Sequence, residues 1–186
     1  MRVIAGKARR LNLKTTPGFD TRPTADKIKE TLFNILSPCL PGCSFLDLFS
    51  GSGAIGIEAL SREASFCAFV DNDLRAVKCI RENLKTTRLE EGALVIEKNA
   101  LAAIALLSVK KYKFDIVYLD PPYKAALEEE TLKALSDSGI IDEDTLVILE
   151  ASRETDLSFL DNLPYSISRI KDYKNNRHIF MRLSEN

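Results

Sequence analysis

The chain reads as an α/β protein with a seven-stranded, mainly parallel sheet, an antiparallel last strand and helices on both faces. Three observations predict this. Short apolar runs alternate with helical stretches across residues 45–149, the pattern of parallel strands joined by crossover helices. A glycine-rich turn, Gly51-Ser52-Gly53-Ala54-Ile55-Gly56, lies between the first such run and its helix. Finally, Asp120-Pro121-Pro122-Tyr123 closes the buried apolar run Phe114 to Leu119. Two prolines, with fixed φ and no N–H to donate, end a central strand there.

The elements follow in order. Val3, Leu11 and Leu13 alternate loosely around Gly6, so residues 2–14 are expected to form a short hairpin or an extended arm. Arg22-Pro23-Thr24 opens a helix in which Ile28, Leu32, Ile35 and Leu36 fall on one stripe, and Pro38 and Pro41-Gly42 end it. Strands are expected at Phe45–Phe49, Phe66–Val70, Leu94–Ile96, Phe114–Leu119 and Leu146–Leu149. The intervening helices are Gly53–Arg62, Asp73–Lys85, Leu101–Val109 and Glu128–Leu135, with Asp73 as the N-cap of its helix. Tyr165–Ile170 and Arg177–Leu183 make a final strand pair around a polar turn at Lys174-Asn175-Asn176. The expected organisation is a basic N-terminal arm or hairpin, residues 1–20, followed by one domain, residues 21–186.

With 186 residues, 45% hydrophobic and 28% charged, the chain has enough apolar material for one real core. The longest apolar stretch, Ala100 to Leu107, is too short to span a bilayer. The opening residues lack a signal-peptide core. Cys39, Cys43, Cys67 and Cys79 form no paired framework, and His178 is the only histidine. Free thiols in a reducing cytoplasm are expected, with no metal and no membrane partner. Net charge is −1, but residues 1–29 carry eight Lys/Arg against Asp20 and Asp26, a balance of +6 that leaves −7 elsewhere. Arg2, Lys7, Arg9, Arg10 and Arg22 on that segment fit a phosphate-contacting role.

The glycine turn matches G-x-G-x-x-G, and Asp71 ends the next strand 20 residues after Gly51. Glycines let a ligand approach the backbone, and an aspartate at that position accepts hydrogen bonds from ribose hydroxyls. NAD is the competing cofactor. Asp47 in Leu46-Asp47-Leu48-Phe49-Ser50 argues against it, because a carboxylate beside the loop suits a cationic amino-acid group better than a pyrophosphate. The Asp-Pro-Pro-Tyr turn has no role in hydride transfer either. An acceptor-rich rigid turn with a ring suits a flat amino-bearing group such as a nucleobase, so S-adenosylmethionine is the expected cofactor.

Asp47–Gly56 resembles motif I of the class I methyltransferases, with their Rossmann-like fold, and Asp120–Tyr123 resembles their amino-methylating signature. The segment Arg22 to Leu36, the run Leu46 to Gly53, Glu58-Ala59-Leu60-Ser61-Arg62 and the opening Arg2-Val3-Ile4-Ala5-Gly6 are similar to bacterial 16S ribosomal RNA guanine-N2 methyltransferases. The resemblance implies that Asp47, Ser50, Gly51, Gly53, Asp71, Asn72, Asn99 and Ala100 hold the cofactor. Asp47 would lie near its amino group, Asp71 at the ribose, and Asn72 and Asn99 at the adenine. It also implies that Asp120, Pro121, Pro122 and Tyr123 form the catalytic turn. The chain departs from the pattern at Asn99, often an aspartate, and at Lys174-Asn175-Asn176, which lacks the usual glycine.

The implied partner is 16S ribosomal RNA within an assembling small subunit, acted on by a monomer. Two rivals keep the fold and change the acceptor: DNA adenine N6 and protein glutamine. A third is a non-catalytic RNA-binding module, against which the intact glycines, Asp71 and Asp120 argue.

Overall fold

The computed structural model describes residues 1–15, 23–122 and 127–184. Tyr123 and Arg22 lie outside the described residues. The seven strands form a mixed sheet in the order β3-β2-β1-β4-β5-β7-β6, and the chain divides into two compact units, Met1–Asn99 and Ala100–Asn186. No helix among the described residues is long and apolar enough to cross a membrane.

In the first unit, β1 (Ser44–Leu48), β2 (Phe66–Asp71) and β3 (Ala93–Glu97) pair in parallel. Phe45, Leu46 and Leu48 of β1, and Cys67, Ala68, Phe69 and Val70 of β2, are buried without alternation, as expected for strands covered on both faces. Helices α1 (Pro23–Leu36), α2 (Ala54–Ser61) and α3 (Leu74–Thr87) complete the unit. Asp73 caps α3 as expected, its Oδ1 accepting from Arg75 N at 2.8 Å. Strand β1 stops one residue short of the predicted Phe49, whose φ of +64° already turns the chain into the glycine loop. A non-glycine residue held in this region is uncommon. Gly56 is needed for packing instead: a Cβ there would lie 2.3 Å from the Phe69 ring and 2.6 Å from Cys67 Sγ.

The second unit holds α4 (Ala100–Val109), β4 (Ile116–Leu119), α5 (Leu127–Ser138), β5 (Leu146–Ser152), β6 (Tyr165–Asp172) and β7 (Asn176–Leu183). β4 and β5 are parallel, and β7 runs antiparallel to both β5 and β6. The last strand is therefore antiparallel, as predicted. β4 begins two residues later than expected: Phe114 bonds to the turn before β5, and Asp115 bonds to the first residue of β5. Phe114 N donates to Ile140 O, and Leu146 N donates to Asp115 O.

The N-terminal segment is hairpin-like only at its base, with one bridge between Arg2 and Asn12. Tight turns over residues 5–10 replace the rest, and Val3, Ala8 and Leu13 are buried. What fastens this strap is Glu58, a charged residue on the otherwise apolar face of α2. Its fully buried carboxylate accepts from Ile4 N at 2.9 Å, Ala5 N at 3.0 Å and Arg62 Nε at 2.8 Å. It also pairs at 3.0 Å with Lys29 Nζ from α1, which is only 3% exposed and donates to Arg2 O as well. Alongside, Ser61 O accepts from Lys7 N at 2.8 Å, and the Ser61 hydroxyl accepts from Ala8 N. Gly6 fits only because it lacks a side chain: at its φ of +81°, a Cβ would sit 1.7 Å from Ser61 O.

Removing one member of a buried, hydrogen-bonded ion pair typically costs about 3–5 kcal/mol, because the other charge stays behind unpaired. Glu58→Gln is expected to destabilise by that order, read as a lower urea midpoint, and to open residues 1–15 to limited proteolysis. A midpoint within about 0.5 kcal/mol of the parent, the range of ordinary surface substitutions, would remove Glu58 as the fastening.

Candidate active site: the glycine loop and the Asp-Pro-Pro turn

The carboxyl ends of β1, β2 and β3 form one edge of the first unit, and Ser50, Gly51, Gly53, Asp71, Asn72 and Asn99 of the predicted cofactor residues end or follow these strands. The loop after β1 is pinned residue by residue. Ser50 N donates to Val70 O at 2.9 Å, and the Ser50 hydroxyl both donates to Asp47 O and accepts from Val70 N. Ser50 thus extends the β1–β2 ladder through its side chain and fixes the shape of the loop. Gly51 N donates to Asp71 Oδ2 at 2.8 Å, while Asp73 N donates to Asp71 Oδ1 at 2.9 Å. Asp71 therefore ties the loop to the start of α3. It is half-buried, and each of its oxygens keeps a second lone pair for a hydroxyl.

Gly51 has φ +55°, and a Cβ built there would meet nothing within 4 Å. Backbone conformation and an open approach require glycine at this position. Gly53, φ +76°, starts α2, and a Cβ there would crowd Ile80 at 3.2 Å. Asn72 and Asn99 are exposed beyond the ends of β2 and β3. Ala100 is buried and opens α4 in the second unit.

Asp47 lies deeper than a residue directly lining the edge. It is 1% exposed, and Oδ2 accepts from Gly56 N at 3.0 Å. Burial pushes its pKa from 3.8 up to about 7; the Gly56 N–H opposes the shift, and the charge of Asp71 adds to it. The Asp47 carboxyl is thus harder to ionise than an ordinary aspartate.

In the second unit, Asp120 is exposed at the end of β4, Pro121 is buried and Pro122 exposed. Two residues before Asp120, Tyr118 donates to Glu150 Oε2 on β5. Glu150 is also bonded by Asn176 Nδ2 and lies 3.1 Å from His178 Nε2 on β7; His178 Nδ1 in turn meets the Tyr173 hydroxyl at 3.2 Å. Burial alone would raise the Glu150 pKa, but His178, Tyr118 and Asn176 hold it below the usual range. This buried network locks the strand that presents Asp120.

Of the predicted RNA contacts, Arg2, Lys7, Arg9 and Arg10 are all exposed on the strap, and Arg2 Nε approaches Asp26 at 3.6 Å. Sequence reasoning did not single out the partnerships of Glu58, Asn83, Glu150 or His178. Only Glu58 carried a local signal, as the single charge in the α2 run Ala-Ile-Gly-Ile-Glu-Ala-Leu-Ser.

The Asp47 shift has a definite sign. Its folded pKa lies above its ordinary value, so the stability it confers is complete below about pH 4 and is lost as pH rises toward 7. The slope is at most about 1.4 kcal/mol per pH unit for one proton. Urea midpoints measured from pH 4 to 8 should fall across this window in the parent and flatten in Asp47→Asn. Identical pH slopes in the two proteins would refute the assignment.

A family model described as "Conserved hypothetical protein 95" matches residues 1–181 of the chain. Among similar sequences, YlbH of Bacillus subtilis (strain 168) is 40% identical over 157 residues, covering 84% of this chain and 85% of that protein. The Escherichia coli (strain K12) protein named Ribosomal RNA small subunit methyltransferase D is 36% identical over 159 residues, covering 84% and 77%. The solved structure of Escherichia coli yhhF, 32% identical, superposes with a TM-score of 0.84 and covers 100% of this chain and 99% of that one. The chain has the class I methyltransferase fold and belongs to the Conserved hypothetical protein 95 family, together with Ribosomal RNA small subunit methyltransferase D.

Proposed function

We propose that this chain transfers a methyl group from S-adenosylmethionine to the exocyclic N2 amino group of a guanine in 16S ribosomal RNA, within an assembling small subunit. The observation that carries the reading is the glycine loop: Gly51 opens onto free space while Asp71, half-buried, holds the loop's N–H and keeps lone pairs for ribose hydroxyls. These residues fit the donor's adenosine and amino-acid parts, and the names of the relatives supply ribosomal RNA as the acceptor.

Bound there, S-adenosylmethionine would supply an electrophilic methyl on a sulfonium. Gly51 and Gly53 would pass its chain close to the backbone. Asp71 would accept from the ribose, and Asn72 and Asn99 would line the adenine. Asp47, made harder to ionise by burial, would favour a cationic amino group nearby, since an adjacent positive charge stabilises the ionised carboxyl. Ala100 would back the adenine where α4 begins.

A guanine N2 lone pair is delocalised into the ring and is a poor nucleophile. Asp120 accepts from the N2 hydrogens in this reading, which favours a pyramidal nitrogen and gives its proton somewhere to go once the new C–N bond forms. Pro121 and Pro122 fix the turn and present backbone carbonyls without competing N–H donors. Tyr123 stacks on the base, worth roughly 1–3 kcal/mol. Orientation of nucleophile and methyl in line accounts for roughly 7–11 kcal/mol of the barrier. The target guanine must be unpaired, since pairing hides N2. Arg2, Lys7, Arg9, Arg10 and Arg22 contact phosphates along the approach.

Tritiated-methyl transfer, assayed in parallel on DNA, bare 16S RNA and ribosomal particles, followed by nucleoside analysis, tests the reading. N2-methylguanosine from RNA or particles is expected; label in DNA or in protein would overturn it. Asp120→Ala is expected to lower turnover by roughly 10²–10⁴-fold with cofactor binding by calorimetry unchanged, whereas normal turnover would sink the acceptor assignment. The double reversal Arg9→Glu, Arg10→Glu should weaken RNA binding and reduce its salt slope by about 0.7 for each phosphate no longer neutralised. An unchanged slope would take the strap out of the interface.

A further inference from the structure

The strap ends at Lys14, packed against α3, where Asn83 bonds both its backbone N–H and its C=O. Asn83 is fully buried. Its Oδ1 accepts from Lys14 N at 2.8 Å, and its Nδ2 donates to Lys14 O at 3.0 Å. The same Nδ2 donates at 2.9 Å to Ser52 O, in the middle of the glycine loop. An amide nitrogen carries two hydrogens, so these two carbonyls saturate it. The amide has one possible orientation: flipped, its oxygen would face both carbonyl oxygens and leave Lys14 N without an acceptor. Neighbouring groups reinforce the strap end, with Cys79 Sγ 3.4 Å from Lys14 O and Lys14 Nζ paired to Glu82 at 2.8 Å.

The loop's three inner residues thus have three different anchors: β2 for Ser50, Asp71 for Gly51, and Asn83 for Ser52. Only the Asn83 anchor also binds the basic strap. We propose that Asn83 is a positioning residue that couples the RNA-facing strap to the cofactor loop, so that S-adenosylmethionine and RNA each bind more tightly when the other is present. The inference rests on the function proposed above.

The physical basis is that one planar amide satisfies both segments at once. Displacing Lys14 shifts the plane through which Ser52 O is bonded, and tightening the loop on a ligand fixes that plane for the strap. RNA held by Lys7, Arg9 and Arg10 restrains the strap and so presents a loop already ordered, which lowers the ordering entropy left for the cofactor. By linkage the effect is reciprocal.

The test is filter binding of 16S ribosomal RNA transcript with and without saturating S-adenosylhomocysteine, on the full chain and on Asn83→Asp and Asn83→Leu. Aspartate keeps the acceptor for Lys14 N and removes the bonds donated to Lys14 O and Ser52 O, together with the 3.6 Å contact to Cys79 Sγ; leucine removes all of these at similar volume. In the parent, S-adenosylhomocysteine should tighten RNA binding roughly tenfold, within the usual range of coupling between sites. In both variants that factor should fall to near one, whatever happens to each affinity alone. A merely structural asparagine would change the separate affinities and leave their ratio intact, and that outcome overturns the proposal, as does a factor of one in the parent. Hydrogen exchange on the parent gives a second measurement independent of variant folding: S-adenosylhomocysteine without RNA should slow exchange at the Lys14 amide, and unchanged exchange also overturns it. A parent that binds neither S-adenosylhomocysteine nor RNA would instead remove the proposed function, and this inference with it.

Discussion

The buried carboxylate of Glu58 is the interaction on which the organisation of the first unit depends. It brings together three segments distant in sequence: the strap at Ile4 and Ala5, α1 through Lys29, and its own helix through Arg62. Burial works against the charge of Lys29, pulling its pKa down, while Glu58 pulls it back up. Such a pair is a poor source of net stability compared with a well-packed apolar replacement. What it supplies is definition. Two backbone N–H groups and two cations satisfy the carboxylate only with the strap in one register, and Gly6 against Ser61 leaves no room for another. The basic residues Lys7, Arg9 and Arg10 are therefore presented from a fixed surface.

This arrangement also explains what sequence reading could reach. Strands β1 to β5 were legible because covered parallel strands leave continuous apolar runs bounded by local breakers. The glycine turn and the Asp120 turn are short patterns legible within a few residues, and Asp71 follows from its place at the end of the next strand, 20 residues after Gly51. Boundaries moved where a longer-range bond intervened, as at Phe114, held by Ile140 in the turn before β5. The weak alternation of residues 2–14 suggests no more than a loose hairpin or arm. The strap's real partners are Glu58, Ser61 and Asn83, more than 50 residues away. No local pattern announces an asparagine that clamps two backbones, or a β5 glutamate that pairs with a β7 histidine.

The carboxylates at the cofactor edge divide the work between them. Asp71 accepts from two backbone N–H donors and shapes the loop. Asp47 has one donor, lies deeper, and feels the charge of Asp71, so it cannot ionise fully at neutral pH without further help. In an enclosed site a cation would supply that help. A nicotinamide dinucleotide would bring its pyrophosphate to this loop and raise the Asp47 pKa further. A ligand carrying an ammonium and a sulfonium would lower it, and binding would be favoured by the ionisation it permits. With the cofactor's ammonium beside it, as proposed, the buried aspartate would favour the cationic cofactor over the dinucleotide through the sign of one electrostatic interaction.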